Sequence, residues 1–160
     1  WCCLVGSEMC IRDSNDGVSI GSSTLYLDGI KVGDGGQTTG RLNLTVFPTS
    51  DFKFNLALFG ADNIFSNINA EDFDEPDGGN AQLPAYKLFD FGAGYNFDLF
   101  GNNAYLRLNI NNLFDEEYYP EMENNYLATD DSTNYMGINT ANRIFPGWGR
   151  TWNIGLTYRF

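Results

Sequence analysis

An all-β fold of antiparallel strands, each long enough to cross a lipid bilayer, is predicted for this chain by three observations. Apolar and polar residues alternate with a period of two, the alternating runs are long, and the connections between them are short and long by turns. A period of two places successive side chains on opposite faces of a strand. Strands of ordinary domains average about five to six residues, whereas a tilted membrane strand needs about 9–11.

Five runs can be placed from residue 38 onward. Residues 39–47 put Leu42, Leu44 and Val46 on one face, and residues 52–61 group Phe52, Phe54, Leu56 and Leu58. Residues 86–97 group Phe89, Phe91, Ala93, Tyr95 and Phe97, and residues 103–113 group Ala104, Leu106, Leu108 and Ile110. Residues 150–160 place Trp152, Ile154, Leu156, Tyr158 and Phe160 opposite Asn153, Gly155, Thr157 and Arg159. A sixth run, around 17–27, is blurred by Gly and Ser. The apolar set carries no charge, while the facing set includes Arg41, Lys53, Asp90, Arg107 and Arg159. A Lys or Arg on a lipid-facing surface costs about 2–4 kcal/mol at the bilayer midplane.

The connections sort themselves by length. Residues 48–51 and 98–102 read as tight turns, whereas 66–83 and 116–149 are long. Short turns at one rim and long loops at the other are the pattern of an outer-membrane barrel. Aromatics gather near the run ends: Phe47, Phe52, Phe65, Tyr86, Phe97, Phe114, Tyr118, Tyr119, Trp152 and Phe160. Trp and Tyr favour the lipid–water boundary because their rings are amphipathic. The competing fold is a soluble β-sandwich with one face buried.

Composition narrows the class further. Aromatics make up 16% of the 160 residues, Gly supplies 18, charged residues only 19%, and His is absent. A net charge of −12 argues against a nucleic-acid partner, since phosphates demand a basic surface. The acid is concentrated: Glu71, Asp72, Asp74, Glu75 and Asp77 form one cluster, and Asp115, Glu116, Glu117, Glu121, Glu123, Asp130 and Asp131 another. Both read as solvated loops. The three cysteines, Cys2, Cys3 and Cys10, all lie within the first ten residues. Residues 1–14 differ in composition from the rest, and 6–14 resemble translated sequencing-adaptor read-through. They are set aside as non-native, leaving 15–160 as the native part with its own N-terminus missing. Five or six strands cannot close a membrane barrel, for which about eight is the smallest single-chain number. An open edge in lipid leaves backbone groups unpaired, so the chain is expected to be the C-terminal piece of a larger barrel.

Four segments carry a family resemblance. They are Leu27-Asp28-Gly29-Ile30-Lys31-Val32-Gly33-Asp34; Leu83-Pro84-Ala85-Tyr86-Lys87-Leu88-Phe89-Asp90; the run from Leu106 through Asn111-Asn112-Leu113-Phe114-Asp115 to Tyr119; and the closing stretch from Gly149 to Phe160. Together they resemble the C-terminal strands of TonB-dependent outer-membrane receptors. The resemblance implies a 22-stranded up-and-down antiparallel transmembrane β-barrel with an N-terminal plug. It implies energy-coupled uptake of a siderophore or another scarce nutrient, a metal chelate for example. The implied partners are outer-membrane lipid and lipopolysaccharide, the barrel-assembly machinery, and TonB acting through the missing plug. The C-terminus and short turns then face the periplasm, while 28–38, 66–83 and 116–149 lie outside the cell. The alternatives are another outer-membrane barrel (a porin or barrel enzyme) and a soluble sandwich that binds a ligand.

Candidate functional residues follow from position. Tyr158 and Phe160 resemble the C-terminal signal read during barrel assembly. Arg107 and Arg159 point to the barrel lumen, where they contact the plug or pair with Asp90 if the registers allow. Tyr118, Tyr119, Tyr126, Tyr135 and Trp148 lie in or beside the last long loop, where aromatics grip apolar or ring-bearing ligands. The favoured reading of these five is loop packing and an interfacial girdle. Asn111-Asn112-Leu113-Phe114-Asp115 reads as structural, since Asn side chains bond nearby backbone where a strand bends away. Residues 71–79 suit calcium by ligand type but not by EF-hand spacing, and a solvated loop is the reading preferred. No catalytic arrangement, metal site or cofactor is expected.

Overall fold

The computed structural model describes residues 8–15, 18–33, 35–66, 73 and 79–160, with side chains from residue 24 onward. Every regular element among them is a β-strand. These are β1 (Glu8–Asn15), β2 (Val18–Tyr26), β3 (Gly36–Val46), β4 (Phe52–Phe65), β5 (Gln82–Leu83) and β6 (Tyr86–Leu99), followed by β7 (Asn102–Asn111), β8 (Glu121–Met122), β9 (Asn134–Tyr135), β10 (Ile138–Asn139), β11 (Ile144–Phe145) and β12 (Thr151–Tyr158). The fold is all-β with antiparallel sheets, and no sheet closes on itself among the described residues. Cys2, Cys3 and the acidic cluster at 71–77, Phe73 apart, lie outside the described residues. Two compact units emerge, a sheet unit (36–62, 85–119 and 146–160) and a loop unit (1–35, 63–84 and 120–145).

In the sheet unit the strands follow the order β12-β7-β6-β4-β3, a meander in which chain neighbours are sheet neighbours. Its register answers the sequence pattern row by row. Leu56 lies opposite Phe91, Phe91 opposite Ile110, and Ile110 opposite Trp152. The next rows read Phe54, Ala93, Leu108, Ile154 and then Phe52, Tyr95, Leu106, Leu156. On the reverse face Asn55, Gly92, Asn109 and Asn153 share one row, and Lys53, Gly94, Arg107 and Gly155 share another. A slip of one residue in any strand would move its apolar set to the wrong face. Opposed apolar pairs stabilise such a register by roughly 0.2–1 kcal/mol each.

This apolar face is uncovered. Leu42 is 68% exposed, Trp152 70% and Ile154 62%. Its rings pack along the face: Phe54 on Phe52 at 5.6 Å, Phe52 on Tyr95 at 4.4 Å, and Tyr95 on Phe97 at 5.6 Å. An antiparallel sheet in water normally buries its apolar face, and a contiguous exposed one marks a surface made for another apolar phase or partner.

The two expected tight turns form by distinct means. At 48–51, the Thr49 hydroxyl accepts the backbone N–H of Asp51 at 3.3 Å and of Phe52 at 3.2 Å. Between β6 and β7, Leu99 pairs with Asn102, so Phe100 and Gly101 are the central residues, with φ of 55° and 83°. Positive φ at both is the type I′ geometry, whose twist matches that of the flanking strands. The Asp98 carboxylate accepts the N–H of Gly101 at 2.9 Å.

The loop unit is built the other way round, with apolar side chains inside. Ile64, Phe73, Leu83, Met122 and Ile138 are buried. Here the far end of β4 pairs with β5, Ile64 opposite Leu83. Residues 116–149 are not a plain loop. β8 pairs with β11, and β9 with β10 about a second I′ turn in which Met136 and Gly137 have φ of 51° and 81°. The sixth run is realised as β2, paired with β1 rather than with the meander; β1 includes most of the 6–14 segment that the sequence reading sets aside.

Candidate functional site

The polar face of the sheet unit gathers four of the chain's nine Lys and Arg side chains, Arg41, Lys53, Arg107 and Arg159. Arg107 on β7 sits between Gly94 on β6 and Gly155 on β12. With Arg41 and Lys53 it lines a hollow of about 530 Å³. A second hollow of about 390 Å³ towards the short turns is lined by Lys53, Tyr105 and Arg159, among others. Gly94 leaves room for Tyr105, because a Cβ there would overlap the phenol. The amides between the cations are mutually engaged: Asn109 donates to Asn153 at 2.9 Å, and Asn55 to the Thr45 hydroxyl at 3.0 Å. The pairing of either arginine with Asp90 does not occur. Asp90 lies opposite Ala57 and accepts the N–H of Asn112 at 3.0 Å, while the backbone N–H of Arg159 donates to Asn103.

The exit from β7 is organised by Asn112, which is buried at φ 50°. Its side-chain NH₂ donates to the carbonyls of Glu116 at 2.8 Å and Trp148 at 3.2 Å, and its oxygen accepts the N–H of Glu116 at 2.8 Å. Asn is among the few residues that tolerate this left-handed backbone, because its side chain bonds locally. Asp115, also at positive φ, accepts the N–H of Arg150 at 2.7 Å. Phe114 packs edge-on against Phe89 at 5.1 Å. The Asn-Asn-Leu-Phe-Asp motif thus works as a corner that ties the start of β12 to the end of β7.

The five loop aromatics divide between the units. Tyr118, Tyr119 and Trp148 belong to the sheet unit, Tyr126 and Tyr135 to the loop unit. Tyr118 packs tilted against Tyr86 at 4.5 Å and lies against Gly147, where a Cβ would overlap its ring. Tyr119 is buried, with its hydroxyl on Glu117. Trp148, Tyr126 and Tyr135 are exposed. Tyr158 closes β12 with its hydroxyl accepting from Asn102 at 3.0 Å, and the Phe160 ring lies 6.3 Å from that of Tyr158.

Sequence reasoning misses the residues that hold the loop unit. Asn125 accepts from the Ser66 hydroxyl and the Ala81 N–H, both at 2.6 Å, and donates to the Gly79 carbonyl at 2.6 Å. Asn142 brackets Tyr126, donating to its carbonyl at 2.8 Å and accepting its N–H at 2.9 Å. Asn80 does the same for Lys31, at 3.1 and 2.8 Å. The density of Asn in 124–142 was the available signal, since a primary amide can imitate one strand of a backbone pair. Among the described residues no group of three or more His, Cys, Asp or Glu side chains is placed to hold a metal ion. Comparison of the chain with known protein families, with curated proteins and with solved structures found no match.

Proposed function

We propose that this chain is the C-terminal part of the barrel of a TonB-dependent outer-membrane receptor, acting in energy-coupled uptake of a scarce nutrient such as chelated iron. The single observation that carries the reading is the exposed apolar face, aligned in register from β4 to β12, whose rows through Phe91, Ala93 and Tyr95 carry no charge; Lys87, opposite Gly60, stands on the same face only at its end away from the short turns. A lipid phase accepts such a face, whereas water penalises it by about 25 cal/mol per Å² of apolar area. The reverse face, with its cations, amides and glycines, suits a polar lumen. On this reading the short turns and the C-terminus are periplasmic, the 116–149 segment is external, and Tyr158 and Phe160 are recognised by the assembly machinery. The barrel closes with further strands, because five cannot close alone.

The test uses the parent protein. Reading frame upstream of this region is expected to encode a plug preceded by a TonB-contact segment; continuous strands without a plug would instead make the protein a porin. Fractionated cells are expected to hold the parent in the outer membrane, with the 116–149 segment cut by protease added to intact cells. A monomeric, cooperatively folded product obtained without detergent would overturn the membrane reading.

A further inference from the structure

We propose that the polar face of the sheet carries a binding site for a small multivalent oxyanion, of the polycarboxylate or phosphate class, formed by Arg41, Lys53 and Arg107. The chain as a whole carries a net charge of −12, yet these three cations line one hollow of about 530 Å³ in which Asp90 is the acid. Asp90 is already engaged by the Asn112 backbone. Arg41 donates from Nε to Asn43 at 3.2 Å, and none of the three cations meets a carboxylate among the described residues. Three like charges sharing a low-lying face repel one another, and an anion between them reverses the sign of that interaction.

The register gives the site its shape. Lys53 and Arg107 occupy one row with Gly94 between them. Two strand spacings separate their backbones by about 10 Å, a gap that a tricarboxylate spans once both long side chains lean inward. Gly94 contributes no side chain, and Tyr105 lies over it, placing a phenol donor between the two cations. Arg107 offers a planar fork that matches a carboxylate or phosphate edge, while Lys53 acts as a point charge. The hollow falls in the range of roughly 300–1,000 Å³ usual for small-ligand sites. That size, in a face where Asn109 is engaged by Asn153 and Asn55 by the Thr45 hydroxyl, favours a small anion over an acidic polypeptide. The site depends on the sheet's register alone and is independent of whether the opposite face meets lipid.

The test is made on the parent protein purified in detergent micelles, with near-ultraviolet circular dichroism as the check on folding. Amine-reactive labelling of Lys53 is followed with Lys31 and Lys87 as internal references, in citrate, in inorganic phosphate and in chloride at equal ionic strength. Citrate is expected to slow labelling of Lys53 at least five-fold relative to the other two lysines, with phosphate weaker and chloride inert. Arg107→Gln is expected to raise the citrate concentration needed about ten-fold. Gly155→Asp retains all three cations, and a Cβ there meets nothing within 4 Å; it sets a carboxylate directly opposite Arg107 and is expected to abolish the citrate effect. Equal slowing at all three lysines, unchanged citrate protection in Gly155→Asp, or protection by an acidic peptide but not by citrate would each overturn the site.

Discussion

The two units of this chain solve the problem of apolar side chains in opposite ways. In the loop unit Met122, Ile64, Leu83 and Phe73 are withdrawn from the surface, as water demands. In the sheet unit Leu42, Leu44, Leu56, Trp152, Ile154 and Leu156 stand exposed, and the polar and charged residues line the hollows. The means of cohesion differ as well. The sheet rests on backbone ladders and on apolar pairs opposed across strands. The loop unit rests on a small core and on side-chain amides that substitute for missing backbone partners. On the reading proposed above, the two patterns belong to two surroundings, an apolar one against the sheet and an aqueous one around the loops.

Substitutions that respect one pattern and offend the other sharpen this contrast. Met122→Ala empties a fully buried site in the loop unit, and a loss of about 2–5 kcal/mol is expected for a large-to-small change of this kind. Hydrogen exchange of the 120–145 backbone measures it, and protection unchanged there would mean that the core is not what orders the loops. Ile154→Lys places a charge on the apolar face midway along β12. In a bilayer it is expected to cost about 2–4 kcal/mol, whereas at an exposed site in water the effect stays within about 0.5 kcal/mol. Denaturant titration of the assembled protein in vesicles separates the two. Asn125→Ala removes the acceptor of Ser66, which is fully buried, and of the Ala81 N–H. An unsatisfied buried group costs about 1–3 kcal/mol, so 79–84 is expected to become protease-sensitive while the ladders of the sheet unit keep their exchange protection.

Much of the sheet was legible in the sequence because alternation is a local signal. The apolar sets read from the period of two in β4, β6, β7 and β12 share rows as expected, and both tight turns are where 48–51 and 98–102 placed them. The ends were less legible. β4 runs on to Phe65, past the expected end at residue 61, because its pairing changes partner: Ala61 lies opposite Tyr86 and Ile64 opposite Leu83, with Pro84, which has no N–H to give, between the two stretches. β12 stops at Tyr158, short of Phe160. The loop unit was less legible: the run around 17–27 is present as β2, but the rest was not anticipated. Its two-residue strands are too short to show a period, and the amides of Asn80, Asn125 and Asn142 find partners set by the folded chain rather than by spacing. The corner at Asn112 was anticipated as local Asn–backbone bonding, but its reach to Trp148 across 36 positions was not. On the polar face, the row joining Lys53 to Arg107 through Gly94 required a register that no single strand contains.

If the proposed function holds, the apolar face of the sheet meets lipid and the polar face does not. Spin labels at residues 154 and 153, adjacent in sequence and on opposite faces, test it most directly. The labels are placed one at a time in the protein assembled in bilayers, after Cys2, Cys3 and Cys10 are replaced by serine. Collision with oxygen, which concentrates in the acyl region, and with a water-soluble nickel chelate is then measured. Oxygen is expected to dominate at 154 and the chelate at 153. Equal accessibility at the two positions, or chelate dominating at both, would contradict it.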